Sequence, residues 1–242
     1  MRAPRVLCAG GLDPSGGAGL LADVETVRSL GGVPLGVVTA LTAQGKETFL
    51  NAGTVARTLK LQVKALLELG PVHAVKFGML PGPGALYALA EVLPEGIPWV
   101  VDPVVATSRG QLLSRVRPAD LRALGGARSW LTPNVMECAW LSGEPPAEDA
   151  DQLSVQAAMV LDLGYGAVVA KGGHLSGRPE DILCTRKGVQ RFAGKRLRRV
   201  ASVRGTGCRF ASALAVALAR KESPEDAVRT ARAWVGRHIR GR

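Results

Sequence analysis

Short apolar runs rich in valine and alanine alternate with segments of helical period along this chain, and that alternation constrains the fold more than any other feature. Residues 5–9, 33–39, 74–77, 98–101, 129–131 and 167–170 read as strands. Residues 19–30, 54–69, 84–93, 134–141, 152–163, 206–221 and 224–239 repeat apolar side chains at helical spacing. Strands without polar alternate positions are buried on both faces, so strands of this kind joined by helices predict a mostly parallel sheet covered on both sides. Between residues 181 and 200 the pattern changes. Ile182-Leu183-Cys184-Thr185, a Lys187-Gly188 turn and residues 189–192 read as a hairpin, an antiparallel edge on that sheet. With 242 residues, 47% hydrophobic content and no low-complexity linker, residues 1–242 are expected to form one α/β domain.

Composition narrows the function classes. The chain has no run of 18 apolar residues, and Met1-Arg2-Ala3-Pro4-Arg5-Val6 leads straight into a strand, so a soluble cytoplasmic protein with no membrane partner is expected. Cys8, Cys138, Cys184 and Cys208 lack Cys-x-x-Cys spacing, which argues against a zinc site and a disulfide framework. Cys208 alone, after glycines and before a helix, has a setting expected to lower a thiol pKa. The net charge of +11 is uneven: residues 186–242 hold 16 Lys/Arg against 3 Asp/Glu, the remainder 15 against 17. Such a basic quarter suits an anionic partner, a nucleoside triphosphate or a nucleic acid, while a solvated basic face with no specific partner is the commonest source of such an excess. Aromatic content of 4% leaves few platforms for stacking single-stranded nucleic acid.

Polar and glycine-rich residues gather after the strands, where parallel α/β sheets bind ligands. Ala9-Gly10-Gly11-Leu12-Asp13-Pro14-Ser15-Gly16-Gly17-Ala18-Gly19 follows the first, with Asp23 on the next helix. It is neither a P-loop nor Gly-x-Gly-x-x-Gly. The second strand leads to Thr39-Ala40-Leu41-Thr42-Ala43-Gln44, whose terminal amide can read a heteroaromatic edge. Lys76-Phe77-Gly78-Met79-Leu80, Asp102-Pro103-Val104-Val105, Thr132-Pro133-Asn134-Val135-Met136-Glu137 and Lys171-Gly172-Gly173-His174 follow the next four. Asn134 and Glu137 are three apart at a helix start; they form a capping box, or they hold Mg²⁺ through water. Gly205-Thr206-Gly207-Cys208 precedes a long helical segment, placing first-turn N–H groups and a thiol at a positive helix end, a setting for an anion.

Taken in order, these seven segments resemble the hydroxymethylpyrimidine and phosphomethylpyrimidine kinases of thiamine biosynthesis, in the ribokinase-like superfamily, from residue 9 to about residue 217. The resemblance implies a three-layer α/β sandwich and ATP- and Mg²⁺-dependent phosphorylation of 4-amino-5-hydroxymethyl-2-methylpyrimidine and its monophosphate, by a homodimer. It implies that Gln44 contacts the pyrimidine, with Gly11, Asp23 and Met79 lining that pocket. Lys171 with Gly205, Thr206 and Gly207 should meet the ATP phosphates, and Glu137 and Asp102 should serve the Mg²⁺ region. Cys208 takes the place of the sugar kinases' aspartate base, and Lys171 shares the catalytic role. A pyridoxal kinase on the same scaffold, and a non-catalytic ligand- or nucleic-acid-binding relative, are the alternative functions. Two positions depart from the pattern: Arg204 stands where the family has His and Arg209 where it has Thr or Ser. These arginines strengthen nucleotide binding, or Arg209 intrudes on the site. The segment Ala106-Thr107-Ser108-Arg109-Gly110 also lacks the family's lysine.

Overall fold

In the computed structural model, residues 3–44, 49–54, 56–106, 111–173, 175–194 and 203–241 are described, with backbone alone for 44, 49–54 and 56. The strands are β1 (Arg5–Leu12), β2 (Val33–Gln44), β3 (Phe49–Thr54), β4 (Ala74–Phe77), β5 (Trp99–Val101), β6 (Gly126–Leu131), β7 (Tyr165–Ala170), β8 (Glu180–Thr185) and β9 (Gly188–Ala193). The helices are α1 (Gly19–Ser29), α2 (Leu59–Glu68), α3 (Pro83–Ala90), α4 (Val135–Ser142), α5 (Ala150–Leu161), α6 (Thr206–Ala219) and α7 (Pro224–Arg240). Among the described residues, one nine-stranded sheet runs in the order β3-β2-β1-β4-β5-β6-β7-β8-β9. The six strands from β2 to β7 are mutually parallel. β3 pairs antiparallel with β2, and β8 and β9 close the other edge as the expected hairpin.

Strand alternation sorts the interior into two cores. Leu7 and Ala9 of β1, Val75 and Phe77 of β4, and Val168 and Ala170 of β7 face a layer that includes Leu59 of α2, Leu86 of α3, Cys138 of α4 and Leu153 of α5. Their neighbours Val6, Cys8, Ala74, Ala167 and Val169 face Leu20 of α1, Phe210 and Leu214 of α6 and Val228 of α7. Both faces being covered, the central strands are largely apolar, as uninterrupted sequence runs require. The result is the ribokinase-like three-layer arrangement. Among the described strand residues that are buried, Lys76 alone is charged, and it sits in mid-strand on the α1/α6 face.

Two expectations are corrected. The helix predicted from residue 54 begins at Leu59, after a single 3₁₀ turn at Ala56–Thr58, because Thr54 is the last residue of β3 and pairs with Ala40. Edge pairing over residues 49–54 overrides a helical spacing that holds only from Leu59 onward. The sheet therefore has antiparallel strands at both edges instead of one.

Tyr165 anchors the start of β7, which carries Lys171 at its far end. Its buried hydroxyl donates to the Leu121 carbonyl at 2.9 Å. Tyr165→Phe should lower unfolding stability by about 1 kcal/mol, measured by urea denaturation, because it strips a buried carbonyl of its donor without opening a large cavity.

Candidate active site

The carboxyl ends of the parallel strands bring the sequence motifs together. After β1, the loop from Asp13 to Ala18 folds back on itself: the buried Asp13 accepts the Ser15 N–H and hydroxyl on Oδ1, at 3.0 and 2.8 Å. Gly11, at the end of β1, lies against Met79; a Cβ at Gly11 would stand 3.1 Å from the Met79 sulfur. Thr39 fixes this strip by donating to the Met79 carbonyl at 2.6 Å. Gly11 and Met79 are thus neighbours, as the pocket expectation requires. Asp23 faces elsewhere. Its carboxylate is fully buried and bound by Lys76 Nζ, at 2.9 and 2.8 Å, and by the Ser212 hydroxyl of α6 at 2.8 Å. Burial alone opposes charge on Lys76, but Asp23 beside it wins and raises the lysine pKa, so the ammonium is held charged. Asp23 is therefore engaged by a lysine and a serine beneath the pocket rather than turned toward a ligand.

A second charged group forms after β5, β6 and β7. Lys171 donates to Asp102 Oδ1 at 2.9 Å, with side-chain exposures of 15% and 3%. Thr132 donates to the same oxygen at 3.4 Å. Asn134 and Glu137 form the capping box of α4: Glu137 Oε2 accepts the Asn134 N–H at 2.8 Å, and Asn134 Oδ1 accepts the Glu137 N–H at 3.0 Å. Burial pushes the Glu137 carboxyl up to about 7, against the pull of nearby Lys171. Capping and a cation role are compatible, because the cap uses Oε2 and leaves Oε1 outside the box. Asp102 and Glu137 are hard oxygen donors near one lysine, and Mg²⁺ is bound by one or two carboxylates plus phosphate oxygens and water; these residues fit that ion. Among the described residues, no group of three His, Cys, Asp or Glu could enclose a metal without such help.

The turn before α6 closes the arrangement. Gly205 adopts φ +73°, and a Cβ there would stand 2.3 Å from the Gly17 carbonyl, so this close crossing of two loops requires glycine. Gly207 places the first turn of α6 against the charged group: its missing Cβ would lie 3.2 Å from Lys171 Nζ and 3.5 Å from Asp102 Oδ2. Thr206, Gly207 and Cys208 form that first turn, whose N–H groups have no intrahelical acceptor. Cys208 on this turn is partly buried. Its acidity corrects the sequence expectation: burial pushes the thiol up to about 11, outweighing the pull of Lys76 and of the Gly19 N–H. Dipole arguments from sequence omit desolvation, which here is the larger effect.

The two arginines are structural ties. Arg209 is buried, donating from Nη1 to the Gly17 carbonyl at 3.0 Å and from Nη2 to Glu25 at 2.7 Å. Both bonds tie the start of α6 to the loop after β1 and to α1. Arg204 Nη2 donates to Asp13 Oδ2 at 3.1 Å. On the β7 side, Asp181 accepts the Gly172 N–H and Arg232 Nε, at 2.9 and 2.8 Å, fixing the backbone beyond Lys171. Lys76 enters the sequence reading only as the first residue of a strand-end segment, with no role attached, and Ser212 and Asp181 do not enter it. Only Lys76 left a signal, as a lone cation in an otherwise apolar strand. Gln44 ends β2, and its side chain lies outside the described residues, as do His174 and residues 107–110.

The sequence matches the phosphomethylpyrimidine kinase family over residues 13–242. The chain belongs to that family. It is 34% identical to the hydroxymethylpyrimidine/phosphomethylpyrimidine kinase of Escherichia coli, over 97% of this chain and 90% of that protein. A thiamine biosynthesis multifunctional protein of Corynebacterium glutamicum is 35% identical over 98% of this chain, which spans about a third of its length (32%). Among solved structures, the pyridoxal kinase of Staphylococcus aureus in complex with AMP-PCP and pyridoxal superposes with a TM-score of 0.85 at 27% identity, covering 97% of this chain and 87% of that one.

Glu137 supplies a pH signature for this family member. Its folded pKa of about 7 lies above the ordinary 4.5, so the folded state holds a proton that the unfolded state has lost between those values. Stability from this group is greatest at low pH and declines as pH rises from 4.5 to about 7. Glu137→Gln keeps a capping acceptor and removes the titration; the stability difference between wild type and variant, followed by denaturant unfolding, should change across that window and level off outside it.

Proposed function

We propose that the chain is one kinase domain that transfers the γ-phosphoryl group of ATP to the hydroxymethyl oxygen of 4-amino-5-hydroxymethyl-2-methylpyrimidine, and to the phosphate of its monophosphate, in thiamine biosynthesis. The observation that supports this reading is the meeting, at the carboxyl ends of the parallel strands, of the α6 first turn, which carries Cys208, and the Lys171–Asp102 pair. Transfer of a phosphoryl group passes through a loose transition state, so positioning and charge stabilisation matter more than proton abstraction. In this reading the first-turn N–H groups of Gly205 to Cys208 and the Lys171 ammonium receive the charge that develops on the moving group. Asp102 and Glu137 would hold Mg²⁺, which neutralises phosphate charge when bound. The hydroxymethyl oxygen bonds to phosphorus, ADP leaves with the bridging oxygen, and the hydroxyl proton passes to Cys208. Gln44 orients the pyrimidine edge, with Gly11 and Met79 against its ring.

The Staphylococcus aureus neighbour, solved with pyridoxal, favours a second reading in which pyridoxal is the acceptor on the same machinery. A panel of the pyrimidine, its monophosphate and pyridoxal, coupled to ADP release, separates the two. The pyrimidine and its phosphate should turn over with kcat/KM at least about tenfold above pyridoxal; turnover of pyridoxal alone overturns the pyrimidine assignment. Cys208→Ala should lower kcat about 10²-fold or more while ATP binding by calorimetry stays near wild type, the range typical of general acid–base groups. A decrease within about twofold removes Cys208 from the proton's path.

A further inference from the structure

The loop after β1 has little internal support in its second half. Asp13 and Ser15 hold the first half: the Gly16 N–H donates to the Asp13 carbonyl at 3.0 Å, and the Gly17 N–H to the Ser15 hydroxyl at 3.3 Å. Gly16, Gly17 and Gly19 follow within four consecutive residues, Gly16 at φ +69° and Gly19 at φ +61°. Such a stretch gives up more backbone freedom on ordering than ordinary residues do. Yet it joins the two halves of the site. On one side, a Cβ at Gly19 would stand 2.4 Å from the carbonyl of Gly11, the residue that lies against Met79. On the other, a Cβ at Gly205 would stand 2.3 Å from the Gly17 carbonyl oxygen and 3.0 Å from the Ala18 Cα.

The ties that hold this stretch come from the α6 segment. Arg209 Nη1 donates to the Gly17 carbonyl at 3.0 Å, and the same nitrogen lies 2.7 Å from where a Gly205 Cβ would stand, so the guanidinium fills the crossing of loop and turn. Its Nη2 reaches Glu25 of α1 at 2.7 Å. Arg204 lies over Gly17, with Nη1 3.7 Å from where a Cβ there would stand, and donates from Nη2 to Asp13 Oδ2 at 3.1 Å. Burying Arg209 is costly: it is 1% exposed, its Nε has no hydrogen-bond partner, and the Glu25 side chain that pairs with it is half exposed. A buried charge with an unsatisfied donor is a poor way to stabilise a fold. What the guanidinium does achieve is placement. It holds the Gly17 carbonyl toward α6, and with it the rigid plane of the Gly17–Ala18 peptide.

Resting on the phosphoryl-transfer reading above, we propose that Arg209 is a positioning residue for the acceptor side of the site. Through the Gly17 carbonyl it holds the glycine loop closed on the α6 turn, with the Arg204–Asp13 pair as a second tie. The Gly11–Met79 strip and the turn that carries Cys208 then stand at a fixed separation before an acceptor arrives. The opposite side of the turn, where Gly207 meets Lys171 and Asp102, is built without this loop. Arg209 acts through the loop alone. Without it, the acceptor has to order the loop as it binds, and that cost is taken from acceptor affinity while the chemical step is left as it was.

Amide hydrogen exchange of the free protein reads the loop without any substrate. Followed by mass spectrometry on the peptide spanning residues 12–20, exchange in Arg209→Ser should be about tenfold faster than in wild type or more, while the peptide spanning residues 74–80 keeps its wild-type rate. In the same variant, the KM of the acceptor that turns over should rise about tenfold, the factor that about 1.4 kcal/mol of lost pre-organisation gives. The KM for ATP and kcat should stay within about threefold of wild type. An acceptor KM that does not move, or acceptor and ATP KM values that rise together, overturns the proposal, because general structural damage does not choose between substrates. Unchanged exchange in residues 12–20 overturns it as well. If Arg209→Ser does not fold, as judged by its thermal transition, Glu25→Ala decides. That change removes the Nη2 partner at a half-exposed position, and it should speed exchange in the same peptide; an unchanged rate overturns the proposal. A chain whose loop exchanges as expected but which phosphorylates no acceptor overturns the kinase reading and leaves the tie standing, so the two failures are distinguishable.

Discussion

The interaction on which the site depends is the ion pair between Lys76 and Asp23. Neither side chain is exposed, and dehydrating two charges costs several kcal/mol per ion unless geometry and further hydrogen bonds compensate. The compensation comes from three different parts of the chain: both Asp23 oxygens meet the ammonium, and Oδ1 also meets Ser212. β4, α1 and α6 must therefore arrive in register. Once they do, the first turns of α1 and α6 stand side by side, and the glycine loop after β1 lies against the turn before α6. Displacing any of the three elements by half a turn would strand a buried charge, so the pair specifies an arrangement as well as joining one.

The basic C-terminal quarter takes on a different meaning in three dimensions. Of its 16 cations, Arg191, Arg204, Arg209, Arg229 and Arg232 are all in ion pairs with acids. Three of them, Arg204, Arg209 and Arg232, join the C-terminal segment to Asp13, Glu25 and Asp181 of the preceding sheet and helices. These three read in composition as part of a surface for an anionic partner, and in the fold they tie the C-terminal segment to the rest of the chain.

How much of this was legible in the sequence depended on how local each cause is. β4 was placed residue for residue, because four consecutive buried positions admit only one register. The Asn134–Glu137 capping box was legible because it is a contact within one turn. β3 was hidden: its pairing with β2 brings together residues 40–44 and 49–54 across an edge, and Asn51 and Gly53 interrupt any apolar signal. The acidity of Cys208 was misjudged because the helix dipole is visible in sequence and the depth of burial is not. Arg204 and Arg209 could be seen as departures from the family pattern, but their partners at Asp13, Gly17 and Glu25 lie far away in the chain.

Those distances carry a consequence for how the protein reaches its working form. The contacts that join the glycine loop and α1 to the turn and helix of α6 bridge 191 residues for Arg204 to Asp13, 192 for Arg209 to Gly17, 184 for Arg209 to Glu25 and 189 for Ser212 to Asp23. Closing loops of that length carries an entropic cost that no local contact offsets, and chains rich in such pairings fold slowly. During synthesis, residues 13–25 emerge long before their partners exist, and the sheet can assemble on its α2–α5 face in the meantime. The seam beneath the site is accordingly among the last parts of the molecule to form. A molecule in which it has formed has brought residues 13–25 and 204–212 together, so the site also reports that the sheet between them has assembled.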